Sequence, residues 1–284
     1  MIRLAIAALL AAAQVIAAPQ TTFRSGVEIV ELDVSVTRSG MPVTGLTARD
    51  FALTDNGAPQ TVQSVMLEQL PLSVTLVLDT SESVAGERLQ HLVQAGDGLT
   101  AALRPEDRAA LITFSHIVDL RVPMTGDMSI IRKALGAMTA TGATSLRDAV
   151  HLALQLQPRD ATRPLILVFT DGRDTSSWLT DEAAIDSARR AGVVLHAVRI
   201  DANAFLDRLA EATGGRAWSA TSDRQLRELF TKALDEMRAR YLLTYTPRGA
   251  NPPGWHELKV KLRTGGADIT ARPGYFVSES SPPR

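Results

Sequence analysis

The chain of 284 residues contains no cysteine, which excludes disulfides, thiolate metal centres and a cysteine-borne lipid anchor. Metal chemistry is left with hard oxygen donors or histidine. An excess of one charge is also lacking. Lys and Arg number 30 against 31 Asp and Glu, so no basic field exists to attract nucleic acid or an anionic membrane, and there is no acidic tail. Nucleic acid is therefore not expected as a partner. The five histidines, His91, His116, His151, His196 and His256, show no paired H-x-x-x-H spacing and read as structural or exposed. The nucleophile elbow G-x-S-x-G is missing, and no histidine sits in a recognisable partner motif, which argues against a serine hydrolase.

Long apolar runs are missing too, apart from one at the start. Residues 1–18, MIRLAIAALLAAAQVIAA, carry Arg3, an apolar run from Leu4 to Ala13 and small residues suited to cleavage near Ala17 or Ala18. That run is shorter than the roughly 20 residues a membrane-spanning helix needs. The segment reads as a cleaved signal peptide, so the product is expected to be exported, periplasmic or extracellular, with no transmembrane segment in the mature chain. The composition of the whole chain, 45% apolar and 21% charged, is that of a globular protein large enough for one large domain or for one medium domain with a smaller companion.

Two kinds of pattern alternate along the chain. VELDVSV (30–36) alternates apolar and polar residues, and FALTDNGAPQTVQSVML reads as two strands joined by an Asp55-Asn56-Gly57 turn. From Leu72 apolar strands alternate with helical stretches: LSVTLVLD, RAALITFS with its hairpin partner VDLRVPM, PLILVFTD, VVLHAVRI and RAWSA, with helices near 83–103, 127–139, 145–156, 180–191, 205–213 and 223–239. This is the pattern of βαβ units wound on a mostly parallel sheet. Period-two alternation then returns in YLLTYTP and HELKVKLR, followed by a short strand at GYFV. The expected organisation is a signal peptide (1–18), an N-terminal β segment (23–70), an α/β domain (72–240), a C-terminal β segment (241–277) and a polar tail (278–284). The two β segments are expected to pair into one small sandwich with the α/β domain inserted between them.

The strand LVLD ends on Asp79 and is followed by Thr80, Ser81, Glu82 and Ser83. Asp79, Ser81 and Ser83 form D-x-S-x-S, a spacing that can turn one carboxylate and two hydroxyls toward a common point at the carboxyl end of a strand, where open α/β sheets bind ligands. Such donors suit Mg²⁺ or Mn²⁺ but are too few to fill an octahedral shell. Alone, the pattern is more often that of helix-capping residues than of a metal site. Two later segments add oxygen donors: Thr144 in TGATSL, at the start of a predicted helix, and Asp171 in LVFTDG, at the end of the most apolar strand.

DTSES, TGATSLRDA and LILVFTDG, in that order and on those elements, together resemble the metal-ion-dependent adhesion site (MIDAS) of the von Willebrand factor type A domain. The likeness covers roughly residues 72–240. It implies a Rossmann-like, doubly wound sheet with helices on both faces. It also implies a metal set in which Ser81, Ser83 and Thr144 supply hydroxyls and Asp79 and Asp171 bind directly or through water. The ion would be Mg²⁺ or Mn²⁺, with Ca²⁺ as the alternative. One position would remain for the Asp or Glu carboxylate of a protein partner. Glu82 departs from the glycine that many members carry and places a negative charge at the rim. The flanks VTGLTARDFALTDNGAPQ, RYLLTYTP and ARPGYFV are similar to exported bacterial von Willebrand factor A-related proteins of the kind seen in Acidobacteria.

The resulting expectation is a non-enzymatic adhesion or scaffold module. A structural role in envelope assembly, with the sandwich as the binding element, is one alternative. The other is a phosphatase-like hydrolase using Asp79, because LVLDTS superficially resembles an aspartyl-nucleophile loop. That chemistry wants a general acid where Ser81 stands, and a downstream lysine where none occurs between Lys133 and Lys232. Asp148 reads as either a residue behind the site or a loop tether, and Asp174, Arg173, Ser176 and Trp178 as rim residues within reach of a partner.

Overall fold

A computed structural model describes residues 29–67, 70–158, 160, 162–249 and 252–278; the signal-like segment 1–18 and most of the polar tail lie outside them. The N-terminal part forms β1 (Val30–Arg38), β2 (Met41–Pro42), β3 (Phe51–Asp55), β4 (Ala58–Gln60) and β5 (Ser64–Leu67). The α/β part runs β6 (Leu72–Asp79), α1 (Glu87–Ala102), β7 (Arg108–Phe114), β8 (Val118–Thr125), α2 (Met128–Gly136), α3 (Leu146–Gln155) and β9 (Arg163–Thr170). It continues through α4 (Asp181–Ala191), β10 (Val194–Arg199), α5 (Ala204–Thr213), β11 (Ala217–Ser219) and α6 (Leu226–Arg238). The chain closes with β12 (Tyr241–Tyr245), β13 (Gly254–Leu262), β14 (Asp268–Ala271) and β15 (Gly274–Val277).

The central sheet has the order β11-β10-β9-β6-β7-β8, parallel except for the edge strand β8, which returns antiparallel to β7. β6 is buried at every position because both faces are covered. Its alternate residues Val74, Leu76 and Leu78 pack into the layer of α1, α2 and α6, whereas Val77 joins the opposite layer of α3, α4 and α5. From β6 the chain proceeds to β7 on one side, and β9 lies on the other. The crevice between the carboxyl ends of β6 and β9 is therefore the point where the winding reverses, the usual ligand position in such sheets.

Both flanking segments contribute to both of the remaining antiparallel sheets. One has the order β14-β1-β12-β5, with β2 paired to β1, and the other is β15-β13-β3-β4. Val34, Leu53, Tyr241, Leu243 and Leu258 pack in their shared core. The expected sandwich is thus formed, with differences in detail. Asn56 and Gly57 both take positive φ in the β3–β4 hairpin, as the Asn-Gly signal predicts. The single strand expected after that turn is instead divided: Val62 is buried at a corner, and Gln63 N–H bonds to Thr244 O, so β5 joins the other sheet. β14 was not expected; it is a four-residue strand between Gly266 and Pro273 that pairs with β1.

The sandwich lies against the amino ends of the central strands. Arg163, the first residue of β9, pairs with Asp33 of β1. The Arg190 guanidinium of α4 stacks on Phe276 of β15. The carboxyl ends of β6 and β9 face away from this junction.

Candidate functional site

The run LSVTLVLD is driven into the centre of the sheet by its apolar residues and carries Asp79 with it to full burial. One oxygen of Asp79 accepts the Ser81 N–H at 2.8 Å, and the other accepts the Thr170 hydroxyl at 2.5 Å. Both partners are neutral. Among the described residues no cation pairs with Asp79. Burial is the main influence on its carboxyl and raises its pKa; the Ser81 and Thr170 hydrogen bonds oppose this, and nearby Asp171 adds to it.

The backbone turns sharply after Asp79, with Thr80 N–H bonding Phe114 O at 2.7 Å and a short 3₁₀ turn at Glu82–Val84. Ser81 Oγ lies 3.2 Å from Ser83 Oγ, and Ser83 donates to Asp171 Oδ1 at 2.7 Å. Asp79, Ser81, Ser83 and Asp171 thus form one connected set of oxygens. Thr144 makes no direct hydrogen bond to that set. Its loop is brought alongside by Thr141 N–H to Thr80 O (2.8 Å) and Glu82 N–H to Gly142 O (3.0 Å). Gly142 has a φ of 80°, and a Cβ there would come within 2.0 Å of His116 Nδ1, so this approach needs glycine. Thr144 N–H and C=O are held by Thr175 and Ser176, while its hydroxyl is unengaged among the described residues.

Behind this rim, Asp174 accepts bonds from Arg147 and Ser177. These outweigh the burial that would raise its pKa and hold it below the usual carboxylate range. Asp148 tethers the same loop by accepting the N–H groups of Trp178 and Leu179. Trp178 is consequently fixed at its backbone while its indole is 96% exposed. An open cleft of about 470 Å³ beside the rim is lined by Arg147, Arg173 and Asp207 among others, and by none of the five candidate ligands.

Sequence reasoning missed three participants. Thr170 bonds Asp79 from the neighbouring strand. Arg88 reaches Asp171 Oδ2 in a close contact and Asp223 Oδ1 at 3.0 Å. Burial works against the Arg88 charge, but these two carboxylates more than offset it and raise its pKa. One signal was available: Arg88 is the second residue of α1, where the helix dipole favours an acid over a base.

The connected carboxylates and hydroxyls supply hard oxygen donors around a buried carboxylate that lacks a counter-charge, which suits a divalent cation. Comparisons with known proteins bear on this. Residues 74–173 match the profile of the von Willebrand factor type A domain. An uncharacterized protein of Synechocystis sp. is 29% identical over 110 residues, 37% of this chain and 26% of that protein, so the match spans about a quarter of that relative. Among solved structures, a von Willebrand factor type A protein from Catenulispora acidiphila aligns with a TM-score of 0.54 at 11% identity over 91% of this chain and 76% of its own. Proximal thread matrix protein 1 from the mussel byssus, with a zinc-occupied MIDAS motif, aligns with a TM-score of 0.54 at 16% identity over 65% of this chain and 50% of its own. The winding of the sheet and the profile match over its central strands agree: residues 74–173 match the von Willebrand factor type A domain, and the α/β part has the fold of such domains.

Proposed function

We propose that this chain is an exported, divalent-metal-dependent protein-binding module, serving adhesion or scaffolding, that captures an Asp or Glu carboxylate of a partner protein. The observation that carries the reading is Asp79: a fully buried carboxylate without a paired cation, continuous through Ser81 and Ser83 with a second carboxylate. Leaving a buried charge uncompensated is costly, and a cation at this point offsets that cost. The assigned ligands are Asp79, Ser81, Ser83, Thr144 and Asp171, binding directly or through water. Oxygen donors of this kind favour Mg²⁺ or Mn²⁺, with Ca²⁺ as the alternative.

A bound divalent ion supplies a positive centre with one position free for a partner carboxylate. The two aspartates bring negative charge from adjacent strands, and Thr144 brings a neutral donor on a loop fixed by its own backbone bonds. Trp178 offers the partner an exposed apolar contact on the same rim, on a backbone tied to Asp148. The leader-like residues 1–18 support export. No helix among the described residues is long and apolar enough to cross a membrane. We assign no reaction to the site, because no histidine or lysine among the described residues bonds Asp79.

Thermal melts with and without Mg²⁺ or Mn²⁺ test the reading. A ligand at a hundredfold excess over its Kd stabilises the fold by roughly 2.7 kcal/mol, so millimolar metal should raise Tm by several degrees, and Asp79→Ala should abolish the rise. A partner isolated from envelope extract in Mg²⁺ should be released by chelator and lost with Thr144→Ala. Retention by both variants in excess chelator would show that this rim is not the recognition site.

A further inference from the structure

Arg88 lies at the amino end of α1, where a positive side chain is disfavoured by the helix dipole. Its guanidinium nevertheless points back to the rim and is held from three sides: the close contact with Asp171 Oδ2, Asp223 Oδ1 at 3.0 Å, and the Ser83 carbonyl at 3.4 Å. Asp171 has a side chain only 1% exposed and is committed at both oxygens, one to Ser83 Oγ and the other to Arg88. Asp79, buried as deeply on the adjacent strand, has only neutral partners. The two carboxylates of the site are therefore not equivalent: one has a counter-charge built into the chain and the other has none.

We propose that Arg88 is an internal counter-cation that restrains divalent-ion binding at this site and leaves the bound ion with more of its charge for the partner's carboxylate. The inference rests on reading the Asp79–Ser81–Ser83–Thr144–Asp171 cluster as a divalent-cation site. With Arg88 in place, the pair of carboxylates presents a net charge of about −1 to an incoming ion; without it, about −2. The attraction for the ion is weaker in the first case. The occupied site then stays net positive, which favours the capture of an anionic partner group. Asp223 sets the strength of this restraint, because its bond to Nε keeps the guanidinium from swinging into solvent.

The direct test uses the full chain and Mn²⁺ alone, following loss of the free-ion signal by electron paramagnetic resonance. Wild type is compared with Arg88→Gln, Arg88→Met, Arg88→Lys and Asp79→Ala, each checked for a cooperative melt. The neutral variants should bind Mn²⁺ about tenfold tighter or more, Arg88→Lys should remain near wild type, and Asp79→Ala should not bind. The use of two neutral variants protects the test against one that misfolds. Mn²⁺ affinity that is unchanged or weaker in both neutral variants, with wild type binding normally, would overturn the role of Arg88 while leaving the metal site standing. Binding that is absent from wild type and neutral variants alike would overturn the metal site itself.

Discussion

A single carboxylate sets the terms at the candidate site. Asp79 is carried inward by the apolar residues before it and has two neutral hydrogen bonds in place of an ion pair. Because burial raises its folded-state pKa above the ordinary 3.8, the sign of its contribution is fixed. In metal-free protein its ionised form is a liability at neutral pH, and that liability is relieved as pH falls through the folded value toward the unfolded one. Asp79→Asn keeps the shape and removes the charge. In chelator at pH 7 this variant should be as stable as wild type or more stable, by about 1 kcal/mol, and the gap should narrow as pH is lowered. Urea titrations at several pH values measure it. A variant clearly less stable than wild type at pH 7 in chelator would contradict the account.

At the scale of elements, α6 is tied to β10 by a buried polar cluster. Glu236 accepts both Nε and Nη2 of the fully buried Arg240, and its Oε2 lies 2.6 Å from His196 Nε2; His196 Nδ1 accepts the Arg216 N–H. This pattern matches a neutral imidazole. Although burial disfavours the Glu236 charge, His196 and Arg240 hold its pKa far below the ordinary value, and burial likewise lowers the pKa of His196. Both depressions act in one direction. The stability they confer is present at neutral pH and is lost on acidification, beginning below about pH 6.5 as the unfolded histidine gains its proton, then further below about 4.5. Glu236→Gln leaves the Arg240 charge buried without its partner and should cost about 3–5 kcal/mol at pH 7, with a shallower loss in acid. Denaturant midpoints across pH 4 to 8 decide this.

These elements also mark how far the sequence could be read. The apolar runs of β6, β7, β9 and β10 and the helical stretches between them were legible because burial on both faces of a parallel sheet leaves an unbroken hydrophobic signature. The three oxygen-bearing segments were legible as well, since two of them end apolar strands and the third opens a helix, and the structure does bring those segments to one edge. Arg88 was not: its role arises only when Asp171 and Asp223, 83 and 135 residues away, fold against it. β14 was hidden because four residues are too short for periodicity to register. The division of the second hairpin strand at Val62 depends on which sheet offers a free edge, a tertiary fact with no local signal.

For the molecule as a whole, the sandwich belongs to both ends of the chain. β1 pairs with β12 and β14, and β3 pairs with β13. Its polar interior is shared in the same way: Asp55 accepts from Tyr245 and Tyr275 and contacts His256 at 2.8 Å. A fragment of residues 29–67 alone therefore lacks two strands of each sheet and should be unfolded by circular dichroism, whereas a fragment of residues 72–240, which retains both helix layers, should melt cooperatively. Stable folding of the N-terminal fragment by itself would refute the shared architecture.

The chain leaves β5 at Leu67 and re-enters at Tyr241, and these two residues are register partners on adjacent strands; near them Ser64 and Thr244, 180 residues apart, join through hydroxyls 2.6 Å from each other. The consequence is kinetic. Before the α/β part has formed, closing so long a loop costs several kcal/mol of chain entropy, and the sandwich strands cannot find one another quickly. Once that part has folded, its two ends emerge side by side, and the same pairing becomes as local as a hairpin. In refolding experiments, fluorescence from Trp218, within the α/β part, should therefore change before that of Trp255, on β13, with single-tryptophan variants reporting each phase separately.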